Sequence, residues 1–87
     1  MPNPVETDRI RAGINERLDA RAATASICPS EVARHLYSKD DWREQMPIIH
    51  QVARDMADEG TLQITQGGKP IDPENFKGPI RLRRPDE

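Results

Sequence analysis

Cysteine is nearly missing from this chain of 87 residues: Cys28 stands alone, with no second thiol to close an internal disulfide. That excludes a disulfide scaffold and fits a reducing compartment. Aromatic residues are as scarce, one Trp, one Tyr and one Phe, so Ile, Leu, Val, Met and Ala must supply the core. Long apolar runs are missing too. No stretch approaches the roughly 20 residues of a membrane helix or has the pattern of a signal peptide, so the expected location is the cytoplasm, with no membrane as partner. One cysteine and two scattered histidines lack the ligand spacing of a zinc site. Nor is there a paired carboxylate, a serine-histidine arrangement, or a phosphate-cradling glycine loop running into a helix. No metal or cofactor is expected, and the chain reads as something other than an enzyme.

An excess of positive charge is also lacking. The formal net charge is −2 although charged residues make up 32% of the chain, so bulk charge cannot carry nucleic-acid binding. Distribution matters more. Residues 1–24 balance to zero, 25–60 sum to −3 and 61–87 to +1, and between Gly67 and Arg84 five cations face only Asp72 and Glu74. The C-terminal third is the basic part. A chain this short makes one domain and buries only about 60 to 65% of the surface its unfolded form exposes, so self-association is one route to further burial.

What is present is periodicity. Residues 1–6 hold two prolines and read as a disordered arm, followed by a domain over 7–84 and a tail over 85–87. From Thr7, Ile10, Ile14 and Leu18 recur at four-residue steps, which predicts a first helix ending near Ala22. Thr24 to Ile27 tolerates a short strand. Pro29, suited to a first helical position, opens a second helix whose apolar side is Val32, Ala33 and Leu36. The longest periodic run, Asp41 to Gly60, buries Trp42, Met46, Ile49, Ala53 and Met56 and predicts the third helix. Asp41 and Glu44 have the spacing of a capping box. Pro47 should break or kink this helix between Arg43 and Met46, and Gly60 should end it. Two alternating segments close the domain, Thr61 to Gln66 and Pro79 to Arg84, with Gly67-Gly68 as turn chemistry and Arg81 and Arg83 pointing off the core. The order predicts an α+β, mainly α chain: a winged helix-turn-helix of three helices, a short strand and a C-terminal two-stranded wing.

The segments Ile27-Cys28-Pro29-Ser30-Glu31-Val32-Ala33, Asp41-Trp42-Arg43, Ile64-Thr65-Gln66-Gly67-Gly68 and Gly78-Pro79-Ile80-Arg81-Leu82-Arg83 resemble the bacterial "domain of unknown function 3253" family from about Ile10 to Arg83. The resemblance implies a winged-helix fold and no established activity. Some relatives carry an added cysteine-rich, zinc-ribbon-like module; its cysteines have no counterpart here, so no metal site is carried over.

Two surfaces are candidates for duplex DNA. In a helix-turn-helix the second helix of the motif enters the major groove, where Arg, Gln and His reach base edges and phosphates; here these are Arg43, His50, Gln51 and Arg54. On the wing, Lys69, Lys77, Arg81 and Arg83 are placed to straddle a phosphate backbone. Each has a competing reading: Glu44, Asp55 and Asp58 would make the helix face a mixed solvated one, and strand cations also guard against edge aggregation. A protein-interaction or dimerisation module of the same fold is the alternative function. Cys28, at a helix start with His35 seven residues on, allows a thiol-histidine pair, set against a small packed side chain at a strand-to-helix junction. Trp42 is either a stacking platform or core, and its place at the head of an apolar stripe favours core.

Overall fold

The computed structural model describes residues 4–22, 24–72 and 76–85. Helix α1 spans Pro4–Asp19, three residues ahead of the expected start and three short of the expected end. The reason for the early start is chemical. Pro4 takes the first helical position, where its missing N–H costs nothing, and the first-turn carboxylate of Glu6 accepts the hydroxyl of Tyr37. Residues 4–6 of the expected arm are therefore helical, while residues 1–3 lie outside the described residues, as do 86 and 87 of the expected tail. Strand β1 is Ser26–Ile27, and α2 follows directly over Pro29–Leu36, with proline in its first turn as expected.

Pro47 divides the third helical segment. A 3-10 turn, Trp42–Gln45, leads into α3, Met46–Asp58, which has the proline in its first turn. The break costs no helical bond that proline would have had to make. The capping box does not form. Asp41 makes no side-chain cap; its carboxylate accepts the Ser38 hydroxyl at 2.7 Å. Gly60, at φ 82°, ends α3 in a left-handed conformation. There the N–H of Gly60 reaches Ala57 O at 3.1 Å and that of Thr61 reaches Met56 O at 3.0 Å, a Schellman closure.

The sheet has four strands in the order β1-β4-β2-β3, all neighbours antiparallel. Strand β2 is Gln63–Gln66, β3 is Lys69–Pro70 and β4 is Arg81–Arg83. The expected pair of Thr61–Gln66 with Pro79–Arg84 is present as β2 against β4, and the sheet adds β1 and β3 to it. The tight hairpin joins β2 to β3 through Gly67 and Gly68, at φ 59° and 81°, the two positive values of a type I′ turn. Strand β4 lies between β1 and β2, pairing Leu82 with Ile27 on one side and Ile64 on the other. Part of the connection to β4, residues 73–75, lies outside the described residues.

One core joins all layers. Ile10, Ile14 and Leu18 of α1 meet Val32 and Ala33 of α2, Ile49, Val52, Ala53 and Met56 of α3, and Ile27, Ile64 and Leu82 of the sheet. Gly13 lets α2 close on α1, since a Cβ there would stand 2.7 Å from Leu36 Cδ1. Three helices and a small antiparallel sheet thus form an α+β fold, compatible with a winged helix-turn-helix.

Candidate nucleic-acid interface

The core stripe of α3 fixes what its other sides present. With Ile49, Ala53 and Met56 buried, His50 and Arg54 fall one turn apart on one flank. Asp55 lies on the other, toward Arg11 of α1, whose guanidinium pKa is held upward by the hydrogen bond and charge of Glu59 with a smaller contribution from the charge of Asp55. His50 is half-buried. Burial, and then the charge of Arg54, push its pKa below the ordinary value, so near neutral pH the ring is an uncharged donor and acceptor rather than a cation. Gln51 is exposed and held from both sides, donating to Asp55 Oδ1 at 3.1 Å and accepting from Arg54 Nη2 at 3.4 Å. Arg43 is exposed in the 3-10 turn, with its guanidinium 4.8 Å from the Trp42 ring centroid.

On the sheet, Arg81 alternates away from Leu82 and is exposed, but it does not swing free. Its Nε donates to Ser26 Oγ at 3.0 Å, Nη2 to Ser26 O at 2.8 Å, and Nη1 lies 3.1 Å from Cys28 Sγ. Arg83 shares that outer face yet is half-buried, with its Nε shut off from solvent. The expectation of two arginines projecting alike therefore holds for Arg81 alone; the central position of β4, between β1 and β2, surrounds Arg83 with neighbours. Lys77 is exposed, and its carbonyl accepts from the Gln66 amide.

A cavity of about 230 Å³ connects these parts, lined by Cys28, Pro29, Met46, His50, Pro79 and Ile80 among others. It brings His50 of α3 to the same place as Cys28, which Arg81 touches, and Gly78, which Lys77 precedes. Lys69 is not brought there. It sits at the hairpin turn on the sheet edge opposite β1, two strand spacings, about 10 Å, from β4. His35, one partner considered for Cys28, instead lies 3.3 Å from Glu16 of α1. Trp42 is half-buried and packs against the core. Among the described residues no cluster of three metal-ligating side chains occurs.

Charge pairing is uneven across the molecule. Arg11 forms a two-pronged pair with Glu59 at 2.7 and 2.6 Å, Arg17 and Arg21 share Glu31 at 3.0 and 2.7 Å, Arg9 lies 3.8 Å from Glu6, and Arg84 binds Asp19. Each of these arginines lies on α1, just beyond its end, or reaches across to it. By contrast Arg34, Arg43, Arg54, Lys69, Lys77 and Arg81 form no carboxylate pair among the described residues. Sequence reasoning missed Arg34, whose guanidinium also lies over Trp42. No periodic signal links α2 to the turn after it, so nothing in the order of residues marks that contact.

No curated protein matches the chain. Residues 7–85, nearly its whole length, match the family described as "Protein of unknown function (DUF3253)", and the chain belongs to that family.

Proposed function

We propose that this chain is a non-catalytic duplex-DNA-binding module of the bacterial cytoplasm, using α3 and the wing of a winged-helix fold. Arg43, His50, Gln51 and Arg54 meet the major groove in this reading, while Lys69, Lys77, Arg81 and Arg83 meet the adjoining backbone. The observation that supports it is the segregation of ion pairs: carboxylates neutralise the arginines around α1 and, among the described residues, leave Arg43, Arg54 and Arg81 without a carboxylate pair. The net charge of −2, with Glu44, Asp55 and Asp58 on the turn and α3 themselves, means that binding would rest on local contacts by these cations and not on bulk charge.

A protein-interaction module is the competing reading, and an apolar patch would favour it. Val5, on α1, is the one large apolar side chain that is well exposed among the described residues, so no such patch supports that choice. The test is fluorescence anisotropy against random duplex at several salt concentrations. Four to six neutralised phosphates correspond to a log-log slope of about −4 to −5. Absence of binding at low salt ends the proposal.

A further inference from the structure

Trp42 opens the 3-10 turn between α2 and α3, with two guanidiniums over its ring. Arg43, its neighbour in the chain, lies 4.8 Å from the ring centroid, and Arg34 of α2 lies 5.4 Å from it. Both arginines are exposed. Arg34 is anchored through Nε and Nη2 to the carbonyl and hydroxyl of Ser30, at 3.3 and 3.4 Å, which leaves Nη1 uncommitted. Arg43 makes no hydrogen bond, and neither arginine meets a carboxylate, among the described residues. Stacking holds a guanidinium by its face and leaves the in-plane N–H donors pointing past the ring edge. The indole thus orders two cations in advance, and ordering before binding removes part of the entropy cost of the bound state.

We propose that Arg34 and Arg43, held over Trp42, form a two-pronged clamp for phosphate oxygens of a duplex backbone, which adds Arg34 to the contacts of α3 and the wing and assigns Arg43 to phosphate. This rests on the DNA-binding reading above. A nucleobase does not fit the role, because the guanidiniums take the place over the indole that a stacked base needs. Long-range attraction does not fit it either: Arg34, Lys39 and Arg43 are balanced by Asp40, Asp41 and Glu44. What remains is short-range and directional. Planar forks of N–H donors match the oxygens of a phosphodiester, and such contacts fix register without reading sequence. The clamp also borders the rest of the interface, since Ser30, which anchors Arg34, lines the cavity shared with His50.

The test uses the full chain and random duplex. Arg34→Gln should lower the magnitude of the salt slope by about 0.9, the share of one phosphate, with weaker binding at every salt. Arg34→Lys should weaken binding as well, because an ammonium keeps the charge but cannot present a stacked fork. Since Trp42 is the chain's one tryptophan, its emission reports the clamp directly and should change on adding duplex. Duplex binding by the wild type with Arg34→Gln unchanged in slope and Kd overturns the clamp and leaves the broader reading standing. Failure of the wild type to bind duplex overturns both. An emission change with poly-glutamate and none with duplex also overturns the clamp, in favour of an acidic protein. Circular dichroism confirms folding of each variant, and if Arg34→Gln fails to fold, Arg34→Ala, at an exposed helical position, gives the same slope readout.

Discussion

Leu82→Ala examines the packing that positions everything else. Leu82 is fully buried at the middle of β4, between Ile27 of β1 and Ile64 of β2, all three on the core face. Removing three carbons from such a site loses their transfer free energy and leaves a cavity that neighbours on both sides prevent from collapsing. Leucine-to-alanine changes of this kind cost about 2 to 5 kcal/mol. Enclosure by two strands and the helices argues for the middle of that span, about 3 kcal/mol. A domain of this length holds roughly 4 to 13 kcal/mol in total, so the loss is a large share of the whole. At about 4 to 8 °C per kcal/mol for a small domain, Tm should fall by about 12 to 24 °C. Urea unfolding followed by circular dichroism should show a lower midpoint with an unchanged slope. Val5→Ala, at a side chain 78% exposed, serves as control and should change stability by less than about 0.5 kcal/mol. A loss below about 1 kcal/mol for Leu82→Ala would refute the placement of β4 at the sheet centre.

Three further outcomes follow from particular residues. Gly60→Ala should cost about 1 kcal/mol in urea unfolding, all of it backbone strain, because φ is 82° and no atom crowds a Cβ there; an unchanged midpoint would contradict the Schellman closure. The His50 pKa is depressed in the fold, so the unfolded chain takes up the proton first: stability should fall as pH drops below about 6.5, and His50→Gln should flatten that dependence. The Glu31 carboxyl is pushed up by burial, but the hydrogen bond from Arg17 and the charges of Arg21 and Arg17 outweigh this and hold it below the ordinary value near 4.5. Its contribution is present above that value and lost as pH falls through the depressed one; a side-chain NMR titration midpoint at or above 4.5 would contradict the shared pairing.

Much of the fold was legible because it is written in local signals. Prolines at 29 and 47 mark where helices begin, Gly60 marks where one ends, and the four-residue steps of Ile10, Ile14 and Leu18 mark a buried stripe. The capping box failed because its geometry is also open to competition: Ser38, three residues before Asp41, captured the carboxylate first. The pairing of β2 with β4 was legible in their alternation, but β3 was missed because Lys69-Pro70 carries no alternating pattern, and its pairing is decided by the Gly67-Gly68 turn rather than by side chains. On α3, periodicity placed His50 and Arg54 off the buried stripe but did not show that both are half-buried, with the Arg54 Nε shut off from solvent. The partners of Arg81, 53 and 55 residues away in the chain, and the arginine pairs of α1 are long-range contacts. No local spacing encodes them, and they decide which cations remain available.

The most direct test of the central claim, that duplex DNA meets the 3-10 turn, α3 and the wing, is an amide chemical-shift titration of the full chain with random duplex. The account predicts shifts concentrated in residues 42–54 and in the strands and turn from 66 to 83, weakening as salt is raised. Shifts concentrated on α1, around Arg11 and Arg17 with their carboxylate partners, would contradict it.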